Sequence, residues 1–277
     1  MARRVVAVVG AVVGALAIVV ASVGWWVDRT MLDPEALVAR AEDLLDQPAV
    51  RDAVADELRR EVPLAAAVEQ LVPGSVSATV SDPAFRPIFR SAVRDAHDFL
   101  LDPSVPSVSV DLQGYSEVLA DIVGRRDPAY RDAVASTAQE LGGMLSADTL
   151  TFRRSELPAA WDVLVSTRDL VLPLAAIGLL LVLGAVVLHP RHVAALGWAG
   201  AVLLLGGAVT ALGATALRDR GGSFPGVPVR LSEAGSLVVD RFVSDLVPQS
   251  VGLALIGLVC LVAAVGARLL ARREPIQ

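Results

Sequence analysis

Four apolar runs without an Asp, Glu, Arg or His constrain this chain more than any other feature. They are Val5 to Val27, about Leu170 to Leu188, about Val193 to Leu217, and Val251 to Ala267. A helix of about 20 apolar residues crosses the hydrocarbon core of a bilayer. Inside lipid the backbone must satisfy its own hydrogen bonds, which a helix does within one segment. The expected fold class is therefore a membrane all-α protein with four transmembrane helices. Composition agrees: 54% of residues are hydrophobic and the mean hydropathy is +0.59, too apolar for a soluble chain unless the apolar residues gather in spans.

The basic residues set the orientation. All 24 are Arg, and the chain contains neither Lys nor Asn. Basic residues near span ends are retained in the cytoplasm. With the N-terminus inside, the cytoplasmic pieces are Met1 to Arg4, the turn His189 to His192, and the tail from Arg268. They carry Arg3, Arg4, Arg191, Arg268, Arg272 and Arg273 against one acid, Glu274. The segment Asp28 to Arg168 carries 24 acids and 14 Arg, and the loop Arg218 to Pro248 has four of each sign. The expected location is a cell membrane, with both termini cytoplasmic and the acidic segment outside.

The domain boundaries expected on this reading are an N-terminal anchor (1–27), an extracytoplasmic domain (28–168), a hairpin of the second and third helices (169–217), a second outer loop (218–248), and the fourth helix with its tail (249–277). The first run also has features of a cleaved signal peptide: an Arg-Arg start and the small residues Ala21 and Ser22. A signal core is about 7–15 residues, shorter than Val5 to Val27, and Trp25 and Trp26 sit where an interfacial anchor belongs. An uncleaved anchor is the expectation.

Between the first two spans, Pro punctuates a helical pattern. Asp33-Pro34, Gln47-Pro48, Asp82-Pro83 and Asp127-Pro128 each precede one. Asp caps free N–H groups, and Pro is tolerated at the first helical position because its missing N–H has no partner there anyway. The apolar stripes of these helices are Leu37, Ala41, Leu44 and Leu45, then Val50, Val54, Leu58 and Val62. A third holds Phe85, Phe89, Val93, Ala96 and Leu100, and a fourth Tyr130, Val134, Thr137 and Leu141. Two stretches, Ser107 to Leu112 and Thr149 to Phe152, alternate apolar and polar residues as half-buried strands do. A lone strand leaves its backbone groups unpaired, so the two are expected to pair. The expected outer domain is mostly helical α+β with a short two-stranded element.

Three pieces, Arg94-Asp-Ala-His97 in the helix Phe85 to Leu101, Val108-Ser-Val-Asp-Leu112, and Leu150-Thr-Phe-Arg-Arg-Ser-Glu-Leu157, carry a likeness of layout. Through them the chain resembles an uncharacterised family of multi-pass membrane proteins from high-GC Gram-positive (actinobacterial) bacteria. It departs in having no Asn beside the His97 helix. The resemblance implies a similar outer domain and topology, and no activity. Arg-only usage, with GC-rich codons, agrees with a high-GC source.

Catalytic chemistry finds little to rest on. His97 is the lone His of the outer segment, and Asp95 and Asp98 lie one or two positions away, where helix neighbours point in different directions. A packed or surface His is the favoured reading over a catalytic one. His189 and His192 flank Pro190-Arg191 and read as a polar turn rather than a chelating pair. No Gly-x-Ser-x-Gly elbow, calcium loop or phosphate-binding loop with its Lys is present. Zinc sites of ordinary type need Cys or several His, while Cys260, the single Cys, lies in a span and cannot form an intrachain disulfide. No catalytic, cofactor-binding or metal residue is therefore assigned, and no cofactor. An acidic outer segment disfavours nucleic acid. The spans hold no ionisable group of the kind that ion pathways use, and Gly10, Gly14, Gly197, Gly200, Gly206, Gly207 and Gly213 suggest close helix packing, within the chain by default.

The expected function is a non-enzymatic binding, scaffold or sensor module of the bacterial cell envelope, with the lipid bilayer and an envelope protein, lipid or wall component as partners. The alternatives are a transporter accessory or channel-forming subunit and, less favoured, an outer-face hydrolase.

Overall fold

The computed structural model of the 277-residue chain describes residues 2–102, 104–105, 107–109, 112–126, 128–134, 136–137, 151–153, 168–189, 192–220 and 232–271. Several sequence features lie outside these: Asp127, Leu141, most of Leu150 to Leu157, Pro190-Arg191, the centre of the 218–248 loop, and Arg272-Arg273. The chain divides into two compact units. One comprises Met1–Thr30, Ala160–Arg220 and Val239–Gln277, the other Met31–Ala159 and Gly221–Val238. The first helix does not stop at its apolar run. A π-helical stretch, Asp28–Leu32, continues it.

Among the described residues, four helices are long and apolar enough to cross a membrane. Their cores are α1 (Ala2–Val27), α8 (Val171–Leu188), α9 (His192–Arg220) and α11 (Leu246–Ala271). α10 (Ser232–Val243) precedes the last. Each span reaches the expected run or overshoots it by several residues, because helical hydrogen bonding carries on into polar flanks wherever nothing breaks it.

In this unit α1 packs on α8 and α9, and α9 packs on α11. Small residues let the backbones meet. A methyl group added at Gly14 would lie 2.6 Å from the Gly178 carbonyl oxygen, and one at Gly200 would lie 2.7 Å from that of Gly257. Gly207 closes on the Ser250 carbonyl in the same way and Gly206 on a Val19 side-chain methyl, whereas Gly213 has nothing within 4 Å. Lipid is as apolar as Leu, so close van der Waals contact is what remains to hold such helices together. Ala11, Ala15, Ala185, Ala195, Ala199 and Leu203 form the seam, while Leu180, Val209 and Val259 are exposed.

The other unit is a helical body. It contains α2 (Pro34–Leu45), α3 (Pro48–Glu61), α4 (Pro63–Leu71), α5 (Ser75–Ser81), α6 (Phe85–Leu101) and α7 (Leu112–Arg126). Asp33 caps α2 by accepting from the Ala36 N–H at 2.9 Å, with Pro34 in the first turn. Gln47 and Val62 precede Pro48 and Pro63 without a side-chain cap, so there the fixed φ of Pro is the local signal. Asp82-Pro83 departs from this pattern. Pro83 sits in a turn and α6 begins at Phe85, while Asp82 accepts from the Ala84 N–H.

The core of this unit draws on α2 to α7, with Leu45, Ala55, Val68, Val76, Val80, Phe85, Tyr115, Leu119 and Val123 among its members. Phe85 meets the Tyr115 ring edge-on at 6.3 Å. Val134 joins the core, but Tyr130 of the same expected stripe is exposed, because Pro128–Tyr130 is a 3₁₀ turn whose phase differs from an α-helix. Ion pairs near the surface link α6 to α2 and α7 to the α5–α6 turn: Arg90 with Glu42 at 2.6 Å, Arg86 with Asp46 just past α2, and Arg125 with Asp82 at 2.8 Å.

β1 (Ser107–Ser109) and β2 (Thr151–Arg153) run antiparallel, with Val108 opposite Phe152. The two alternating stretches thus pair as expected, and the pair is a local clasp of three residues each within an otherwise helical unit. Part of the alternating Ser107 to Leu112 stretch goes instead to α7, which already begins at Leu112.

Candidate functional site

Three places in the helical unit bring polar side chains together. His97 lies on α6, and α6 buries the face that carries Phe85 and Phe99. Stepping by four from Phe85 through Phe89 and Val93 reaches 97 rather than 96, so the imidazole falls on the inward stripe. It is 4% exposed, and neither ring nitrogen has a hydrogen-bond partner among the described residues. Asp98 is a closer neighbour than helix geometry suggested, with Oδ1 3.6 Å from Nδ1. That distance is beyond a hydrogen bond. Asp98 itself is largely exposed while His97 is enclosed, so the pair cannot present a base and its orienting carboxylate to one substrate.

The second place escaped sequence reading. Glu69, near the end of α4, reaches across the turn to the start of α5. Its carboxylate accepts from the Gly74 N–H at 2.8 Å, the Val76 N–H at 3.0 Å and the Ser75 hydroxyl at 3.3 Å. Arg59 of α3 approaches the same carboxylate, with Nε 3.8 Å from Oε1, and donates to the Ser77 hydroxyl oxygen at 2.8 Å. Gly74 has φ of 81°, a left-handed conformation that a side chain would strain, and this turns the chain so that both N–H groups face Glu69. Burial pushes the Glu69 carboxyl up. The Val76 and Gly74 N–H bonds, the Arg59 charge and the Ser75 hydroxyl outweigh it and hold the carboxyl below its ordinary value.

Tyr115, 2% exposed, stands near this group. Burial and then the Glu69 charge raise its phenol well above the ordinary value, and Arg59 offsets part of the rise. The cluster is chemically a helix cap, in which an anion meets N–H groups at the start of a helix. One signal could have exposed it: Val72-Pro73-Gly74-Ser75 is a helix break with a turn, and a Glu one turn before such a break is placed to cap the next helix.

The third place is an open groove of about 380 Å³ lined by Ala78, Ser81, Asp82, Pro83, Ile122 and Arg125. The Asp82–Arg125 ion pair belongs to its rim, and Arg125 Nε is also 3.2 Å from Asp121. Both Asp82 oxygens are engaged, one by the Ala84 N–H and the other by Arg125.

In the membrane-spanning unit, His189 is buried and His192 is exposed, with His192 Nδ1 donating to the Val186 carbonyl. That bond closes a helix end. No group of three His, Cys, Asp or Glu able to hold a metal occurs among the described residues. A polar contact that sequence reading missed joins α1 to α11: Gln249 Nε2 donates to the Ser22 carbonyl at 2.7 Å and to the Ser22 hydroxyl oxygen at 2.8 Å. No protein-family model, curated protein or solved structure matches the chain.

Proposed function

We propose that this chain is a multi-pass protein of a bacterial cell membrane with both termini in the cytoplasm. On this reading the helical unit faces outward as a non-enzymatic binding, scaffold or sensor module of the envelope. The observation that carries the reading is that this unit has its own apolar core while the chain enters it from one membrane-crossing helix and leaves it towards another. A body with its own core, tethered at both ends, can keep a binding surface close to a bilayer. The Arg bias towards the proposed inner ends supports the orientation, and Arg-only usage supports a high-GC bacterial source, including the actinobacterial family that the layout resembles. Burial of His97 weighs against the outer-face hydrolase, because a general base must reach the proton it takes.

The partner on this reading is an envelope protein, lipid or wall component. Photo-crosslinkers placed at Ala78 and Ser81 of the groove, and at lipid-facing Leu180 and Val259, test it in the native membrane. Recurrent adducts to one envelope component from the groove positions are expected. Adducts to a transporter from the lipid-facing positions alone would favour the accessory-subunit reading instead.

A further inference from the structure

We draw no further inference here: the strongest candidate, the open groove of about 380 Å³ between the α5–α6 turn and α7, is spanned by its own Asp82–Arg125 ion pair, and nothing in the structure shows what covers it.

Discussion

Glu69 shows how one carboxylate can tie three helices together: α4 supplies it, α5 receives it and α3 sends Arg59 towards it. Hydrogen bonds to a charged group contribute about 1.5–3 kcal/mol each in favourable cases, less where water reaches them as it does here. Glu69→Gln keeps an acceptor oxygen and loses the charge, so the expected cost at pH 7 is about 1–2 kcal/mol, read as a lower melting temperature. The pH dependence has a definite sign. A carboxyl held below its ordinary 4.5 contributes stability above that value and loses it as pH falls through the folded value. The gap between wild type and Glu69→Gln should therefore narrow below pH 4.5, and a gap constant down to pH 3 would show that charge is not its source. Tyr115 has the opposite sense. Its raised pKa means that stability is full below the ordinary value of 10 and is lost as pH climbs above it. Tyr115 should form tyrosinate only together with unfolding, and Tyr115→Phe should abolish that cooperative absorbance step. His97→Ala, in contrast, removes a buried ring, so any loss of cellular function should track a lowered melting temperature. Full folding with near-total loss of function would restore His97 as a catalytic candidate.

At the level of elements, the two units are held by different forces. In the helical unit, water drives apolar burial. Leu119 is fully enclosed, and Leu119→Ala should cost about 2–5 kcal/mol in a denaturant melt of the whole protein. Between membrane helices that drive is absent, and backbone approach takes its place. Gly200→Val would put a side chain against the Gly257 carbonyl, whereas Gly213→Val meets open space. In detergent, the first should lower thermal stability and weaken a disulfide crosslink engineered between α9 and α11, and the second should do neither. Equal effects from both would mean that these glycines do not set the packing. The Gln249–Ser22 bonds add a polar link between α1 and α11, of the kind worth about 0.6–2 kcal/mol in membranes. Gln249→Leu should lose stability in that range, and Ser22→Ala should lose less, since the Ser22 carbonyl still accepts.

For the whole molecule, the proposed orientation is open to direct measurement. Reporter fusions after Arg4, His192 and Gln277 should report cytoplasm, and fusions near Ala78 and Pro228 should report the outside. A C-terminus found outside would overturn the proposal, because four crossings return the chain to its starting side.

The membrane helices were legible in the sequence because lipid burial is a property of one segment at a time: about twenty apolar residues suffice, whatever lies elsewhere in the chain. The Asp33-Pro34 start and the Val50, Val54, Leu58 stripe were legible for a similar reason, since caps and helical periodicity act over a few residues. Features that depend on distant chain segments meeting were decided only by the tertiary structure. Ser22 and Gln249 are 227 positions apart, and nothing local to either shows that they bond. Glu69 becomes a cap only because the Gly74 turn brings two N–H groups to it. His97 looked equally suited to surface or core until the phase of α6 against its neighbours turned it inward. A periodic pattern names a face within one helix, while its exact phase and its partner are set by the packing of all the helices at once.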